Sequence, residues 1–157
     1  MHLLTVLLVA QSFFGTLPID GISCDRAEGA VEHVHINLQL FDRGKAVQVP
    51  ASIGIPQGGD CLYWIHTHSG DGFIHIESPV KRQFDLGEFF DIWGPDLSAT
   101  QAASLRAPRG QHLLIWVDGK AWHGRDPRAI VFHDHQTIVI QNGPPLGKPV
   151  HPDWSKF

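Results

Sequence analysis

With 157 residues, a formal net charge of −4 and 43% hydrophobic residues, the chain has the composition of one ordinary globular domain. Its twelve lysines and arginines are scattered rather than gathered into a basic run, which argues against a nucleic-acid partner. The unusual feature is the count of eleven histidines. Because imidazole is the commonest metal ligand in proteins, the positions of these histidines decide what the composition means.

An apolar segment opens the chain. Residues 3–17 (LLTVLLVAQSFFGTL) are long enough for the core of a signal peptide but short for a membrane span, which needs about 20 residues. We therefore expect residues 1–18 to be a signal peptide or signal anchor, although no Lys or Arg precedes the segment; a core helix or strand is the alternative. This predicts an exported domain, either periplasmic or extracellular, or anchored to the outer face of the membrane.

The chain has two cysteines, Cys24 and Cys61. In an exported protein two cysteines usually pair, so a disulfide is expected. It would tie the start of the folded domain to the strand that opens a histidine cluster. A lipid-modified Cys24, free thiols and thiolate metal ligands are the alternatives.

A first hairpin is predicted between residues 31 and 49. Residues 32–40 alternate strictly, which predicts a half-buried strand. Its apolar face carries Val34, Ile36, Leu38 and Leu40, and its polar face carries His33, His35, Asn37 and Gln39. Asp42-Arg43-Gly44-Lys45 forms the turn, and residues 46–49 return.

A second hairpin joins residues 62–68 to residues 73–77 through Ser69-Gly70-Asp71-Gly72, which is rich in turn-forming residues. A turn centred on Gly70-Asp71 places His66 opposite His75. Directly opposed residues have Cβ atoms about 4.5–5.5 Å apart, and residues two apart share a face. His66, His68 and His75 are therefore predicted to converge on one point.

The rest of the chain changes character. Residues 85–94 have helical spacing that ends at Gly94-Pro95, and Ser98 is a suitable N-cap for a second short helix to about Leu105. Strands are expected at 113–117 and 137–141. The order predicts an α+β domain over residues 19–145 with an antiparallel-rich sheet, an all-β sandwich being the alternative. Residues 146–157 are expected to form an irregular proline-rich tail.

Three imidazoles with an open fourth position are typical of a catalytic transition-metal site. The strand geometry is analogous to the zinc site of α-type carbonic anhydrases, although no sequence similarity accompanies it. Glu77 shares the face and is a candidate fourth ligand, orienting group or general base. His33 and His35 could complete this site or form a second one, or lie on an exposed face. His133 and His135 flank Asp134, a residue typical of turns, so a turn is predicted there.

Several motifs resemble those of a family of small exported or membrane-anchored bacterial and archaeal proteins. The resemblance covers residues 19 to 145 and implies no particular activity. The segments that carry it are Ile19–Cys24, His33–His35, CLYWIHTH (Cys61–His68), GFIHIESP (Gly72–Pro79) and LGEFFDIWG (Leu86–Gly94).

We therefore expect a transition-metal ion, copper or zinc with iron as a further possibility, held for carriage or for metal-dependent catalysis. Only one methionine is present, which argues against a thioether copper(I) site. The alternative is a metal-free interaction domain or an accessory subunit of a membrane complex. No nucleophile motif, phosphate loop or dinucleotide fingerprint is present.

Overall fold

The computed structural model describes residues 16–157. Most of the expected signal segment, residues 1–18, thus lies outside the described residues. Within residues 16–157, no helix combines the length and the apolar character that crossing a bilayer requires.

The regular elements are short and mostly strands. They are β1 (Cys24–Asp25), β2 (Glu32–Asp42), β3 (Lys45–Val47), β4 (Leu62–Tyr63), β5 (Ile65–His66), β6 (Phe73–Ser78), α1 (Leu86–Trp93), β7 (Gln101–Ala102), β8 (Leu105–Arg106), β9 (Leu114–Val117), β10 (Lys120–Ala121) and β11 (Gln136–Asn142). Single 3₁₀ turns occupy Pro127–Ala129 and Trp154–Lys156.

A seven-stranded mixed sheet organises the domain. Its main path runs β10-β9-β11-β2-β6-β5, and β3 pairs with the far end of β2. The β11–β2 pair is parallel, whereas the other neighbours in this sheet are antiparallel. Within residues 16–157 one α-helix packs on a largely antiparallel sheet. The predicted α+β class is therefore confirmed, and the all-β sandwich is not the arrangement found.

The hydrophobic core lies between the sheet and α1. Ile36 and Leu38 on β2 are at most 1% exposed, as are Phe89 and Phe90 on α1. The helix begins at the predicted place because the Asp85 side chain accepts the amide of Glu88, while the Glu88 side chain accepts the amide of Asp85. It ends at Gly94, whose φ of 103° suits a residue without a Cβ.

The second predicted helix, from Ser98 to about Leu105, is wrong. That segment forms the small β7–β8 ribbon instead. The Ser98 hydroxyl accepts the amides of Thr100 and Gln101, as a cap would. The left-handed backbone of Ala103 then reverses the chain, with φ at 50°. A capping serine starts a turn as readily as a helix, and the local sequence did not separate the two.

The prediction that β2 is only half buried is also wrong. Asn37 is 3% exposed and Gln39 is 9% exposed, although both lie on the polar face. The C-terminal segment, residues 147–157, covers that face. The Gln39 side chain donates to the carbonyl of Val150 at 2.8 Å and accepts its amide at 2.9 Å. The polar face of β2 therefore forms hydrogen bonds with the C-terminal segment instead of facing solvent.

Candidate metal centre

Three neighbouring strands bring the histidines together. On the face opposite the core, His35 of β2 pairs with His75 of β6, and His75 pairs with His66 of β5. The predicted register of the second hairpin is confirmed by the His66–His75 pair. In the next row, His33 pairs with Glu77.

The ring positions agree with this register. The centroids of His66 and His68 are 4.7 Å apart, those of His68 and His75 are 4.6 Å apart, and those of His66 and His75 are 5.6 Å apart. The three rings therefore gather on one side of the sheet, as the sequence predicted.

A loop clamps the segment that carries His66 and His68. The Thr67 hydroxyl accepts the amide of Ile53 and donates to the carbonyl of Pro50. The Thr67 amide also donates to the carbonyl of Ile53. Thr67 pairs with this loop, and β5 ends at His66. The continuous strand expected over residues 62–68 is also interrupted at Trp64, between β4 and β5. The backbone between His66 and His68 is thereby held at the edge of the sheet.

The side chain of His66 is fully buried, and its tautomer follows from its partners. Nδ1 lies 2.9 Å from the carbonyl of Tyr63, which only accepts, so Nδ1 carries the proton. Nε2 then presents a lone pair to Glu77 and to His68. Burial lowers the pKa of His66 to about 4. The ring is therefore neutral at pH 7, the form in which imidazole binds a metal.

Glu77 lies at the centre of the cluster and is 7% exposed. Its Oε1 is 3.2 Å from Nε2 of His33, and its Oε2 is 3.3 Å from Nε2 of His66. Oε2 is buried and has no hydrogen-bond partner among residues 16–157. Burial raises the pKa of this carboxyl, and the nearby charge of Glu28 raises it further. A buried oxygen without a hydrogen-bond partner lowers the stability of the folded state. A proton or a cation between Glu77 and the imidazoles would remove this destabilisation.

One tight group of donors contains Glu28, His66, His68 and Glu77, whose ligand atoms all lie within 4.8 Å of one another. Nε2 of His68 is 3.2 Å from Nε2 of His66 and 3.7 Å from Oε1 of Glu28. The exposed side chains of His68 and Glu28, at 46% and 53%, lie on the solvent side of this group. A metal ion could be held here and be reached from water.

Glu28 was missed by sequence reasoning, because it lies in a loop with no periodic pattern. The predicted disulfide between Cys24 and Cys61 is present, and it anchors that loop beside β4. The amide of Gly29 then donates to the carbonyl of Glu77 at 3.2 Å. A Cβ on Gly29 would collide with the backbone at Ser78 and Pro79, so only glycine allows this approach.

A second tight group contains His33, His35 and Glu77, again with ligand atoms within 4.8 Å of one another. His35 is 6% exposed, and its ring stacks on Phe157 with centroids 4.0 Å apart. Burial lowers the pKa of His35, and neighbouring His33 adds to this effect. The sequence left open where the strand that carries these two histidines lies. In the structure β2 pairs with β6 of the second hairpin and contributes both imidazoles.

His75 lies between the two groups without joining either. Its ring contacts those of His35 and His68 edge-on, and its Nδ1 is 4.0 Å from Oε1 of Glu77. Burial lowers the pKa of His75 to about 3, with His68 the next contributor. That His75 is a metal ligand therefore stays a prediction. Its ring lies between those of His35 and His68.

His133 and His135 belong to neither group. They lie at an exposed turn, where His135 has a left-handed backbone with φ at 57°. This turn supports β2, since Asp134 accepts the amide of His35 and the amide of His135 donates to the carbonyl of His35. The ring of His135 stacks on Trp154.

Comparisons with models of protein families, with curated proteins and with solved structures found no significant match. What the cluster can do therefore follows from its own donor atoms. Imidazole nitrogens and carboxylate oxygens within a few ångströms of one another form a cluster that could bind a metal ion.

Proposed function

We propose that this chain is an exported metal-binding domain that holds a divalent transition-metal ion, Zn²⁺ or Cu²⁺, between Glu28, His66, His68 and Glu77. The observation that carries the proposal is the 3.3 Å approach of Oε2 of Glu77 to Nε2 of His66. The tautomer of His66 leaves Nε2 as an acceptor, so two acceptor atoms face each other in a buried place. A cation between them satisfies both.

The distances within the group suit a small ion. Zinc binds imidazole nitrogen at about 2.0–2.1 Å and carboxylate oxygen at about 2.0–2.2 Å. Tetrahedral ligands at such distances lie about 3.3–3.5 Å from one another. The donor pairs here are separated by 3.2 Å (His66–His68), 3.3 Å (His66–Glu77) and 3.7 Å (His68–Glu28). These three separations are close to the tetrahedral values, and the other donor pairs of the group lie within 4.8 Å.

The donor types narrow the choice of ion. Both cysteines are joined in the disulfide, so the chain offers no free thiolate. The single methionine is Met1, outside the described residues. Without soft sulfur donors, copper(I) is disfavoured, whereas mixed nitrogen and oxygen donors suit Zn²⁺ and Cu²⁺.

The disulfide supports placing this function outside the cytoplasm. Disulfides persist in oxidising compartments and are rare where glutathione keeps thiols reduced. Together with the apolar segment at residues 3–17, this favours the periplasm, the extracellular space or the outer face of a membrane.

Metal-dependent hydrolysis is the second candidate function. It is favoured by the exposure of Glu28 and His68, which leaves one side of the group open to water. A general-base role for Glu77 predicts that Glu77→Gln keeps its metal and loses turnover. A ligand role predicts that the same variant loses the metal, and the position of Glu77 among the donors favours this second outcome.

Metal titration of the full chain, without a histidine tag, tests the proposal. The test variant is His68→Ala with Glu28→Gln, because both side chains are well exposed and their removal leaves the core intact. The matched control is His112→Ala with Asp60→Asn, an exposed histidine and an exposed carboxylate elsewhere. We expect the control to bind like the natural sequence and the test variant to bind at least about 10-fold more weakly.

Two results would overturn the proposal. One is equal weakening in the control and the test variant, which would mean non-specific surface binding. The other is the absence of stoichiometric zinc or copper binding by the natural sequence. That second result would favour the metal-free interaction domain or membrane-complex subunit.

A further inference from the structure

We infer that the cluster is a two-metal centre in which the carboxylate of Glu77 bridges the ions. This rests on the proposed function and adds a second ion, held by His33, His35 and Glu77, beside the first. Glu77 is the only residue shared by the two groups of donors found among residues 16–157.

The two oxygens of Glu77 lie close to different imidazoles. Oε1 lies 3.2 Å from Nε2 of His33, and Oε2 lies 3.3 Å from Nε2 of His66. This division follows from the sheet order, since β6 runs between β2, which carries His33, and β5, which carries His66. A carboxylate on the middle strand therefore has one oxygen for each neighbouring strand.

A carboxylate is suited to this geometry. In two-metal sites the ions lie roughly 3.5–4 Å apart, a separation that one carboxylate can span with one oxygen on each ion. Glu77 is 7% exposed, and within the described part of the chain its Oε2 has no hydrogen-bond partner. Two cations would satisfy both oxygens of the buried group at once.

Contacts with other parts of the chain also hold the second group in place. The ring of His35 is held by stacking on Phe157, and its backbone amide is bound by Asp134. His33 is 59% exposed, which gives an ion access from solvent. Three protein donors leave open positions for water or another ligand. Nδ1 of His75, 4.0 Å from Oε1 of Glu77, adds an imidazole on the same side.

The charge of the centre indicates what else it would bind. The two groups contain two carboxylates, Glu28 and Glu77, against the four positive charges of two divalent ions. Neutral imidazoles contribute no charge. The loaded centre is therefore net positive, and a bridging hydroxide or an oxyanion such as phosphate would balance it.

Copper(II) titration of the full, untagged chain tests the inference through stoichiometry and electron paramagnetic resonance. We expect two equivalents in the natural sequence, with a spin-integrated signal below that of two isolated ions because bridged copper ions couple. His33→Ala should bind one equivalent and show the full signal of a single uncoupled ion. His112→Ala, the matched control, should retain two equivalents and the coupled signal.

The outcomes separate this inference from the proposed function. A single equivalent that His33→Ala leaves unchanged would overturn the second ion while leaving the first in place. Two equivalents with full, uncoupled signal would overturn the bridge. No binding at all would overturn both. Should His33→Ala alter folding, His33→Asn provides a smaller change with the same expected stoichiometry.

Discussion

Nε2 of His66 lies 3.3 Å from Oε2 of Glu77, where His66 is fully buried and Glu77 is 7% exposed. The proton of His66 is on Nδ1, which donates it to the carbonyl of Tyr63. In the metal-free protein with an ionised Glu77, neither Nε2 nor Oε2 therefore has a proton to donate to the other. Stability and metal affinity should therefore respond in opposite directions when the carboxylate is changed.

Glu77→Gln tests this opposition. The amide has nearly the same shape, carries no charge and can donate to Nε2 of His66, so the metal-free variant should be at least as stable as the natural sequence at pH 8. Its affinity for Zn²⁺ or Cu²⁺ should fall by about 100-fold or more, because an amide oxygen is a weaker ligand than a carboxylate. Chemical denaturation and metal titration measure the two effects.

The control for that experiment is Asp60→Asn, an exposed carboxylate in a loop, which should change neither quantity. A Glu77→Gln variant that lost stability while keeping its metal affinity would contradict the assignment. Glu77 would then be a structural residue rather than a ligand.

Acidification should destabilise the metal-free protein between about pH 6.5 and pH 3. The pKa of His66 is lowered to about 4 and that of His75 to about 3, from 6.5 in an exposed chain. Below pH 6.5 the unfolded chain therefore binds protons that the folded chain excludes, and stability is lost until the folded groups also protonate. The raised pKa of Glu77 acts oppositely, reducing stability as pH rises through its own transition.

Thermal unfolding followed across this pH range measures the effect. His66→Asn with His75→Asn should flatten the dependence, whereas His123→Ala, at an exposed site, should leave it unchanged. An equally steep loss of stability in the double variant would show that other groups cause it.

Removing the disulfide should weaken the fold and the metal site together. Cys24 and Cys61 are 37 residues apart in the sequence, and closing a loop of that size stabilises the folded state by about 3–4 kcal/mol in the chain-entropy model. Cys24→Ser with Cys61→Ser should lower the free energy of unfolding by about that amount. It should also reduce metal affinity, because the segment that positions Glu28 is released.

The matched comparison is Glu28→Gln with the disulfide intact. It should reduce metal affinity with no comparable loss of stability, since Glu28 is 53% exposed. If the cysteine variant lost stability but kept full metal affinity, Glu28 would not be a ligand.

Deleting residues 147–157 should expose the polar face of β2. Gln39 would lose both hydrogen bonds to Val150, and His35 would lose its stacking on Phe157. We expect a lower melting temperature and faster carbethoxylation of His35, measured by mass spectrometry. His123, already exposed, should react at an unchanged rate. Protection of His35 in the truncated chain would mean that the tail does not cover it.

Much of the second hairpin could be predicted from the sequence. Alternation fixed the face of each side chain, and the turn formers Gly70-Asp71 fixed the register, so the His66–His75 pair followed. The helix at 86–93 was also predictable, because residues 85–94 have helical spacing and Gly94-Pro95 marks the end. The pairing of Cys24 with Cys61 was predicted from the expectation of an exported chain, in which two cysteines usually pair.

Other features depend on contacts between distant segments. The parallel pairing of β11 with β2 and the burial of Gln39 by Val150 leave no periodic trace in either segment. Glu28 joins the donors only because the disulfide and the close approach of Gly29 to β6 bring a loop to the sheet. Local periodicity sets the direction of a side chain along one strand, whereas the partners it meets are set by how the whole chain closes on itself.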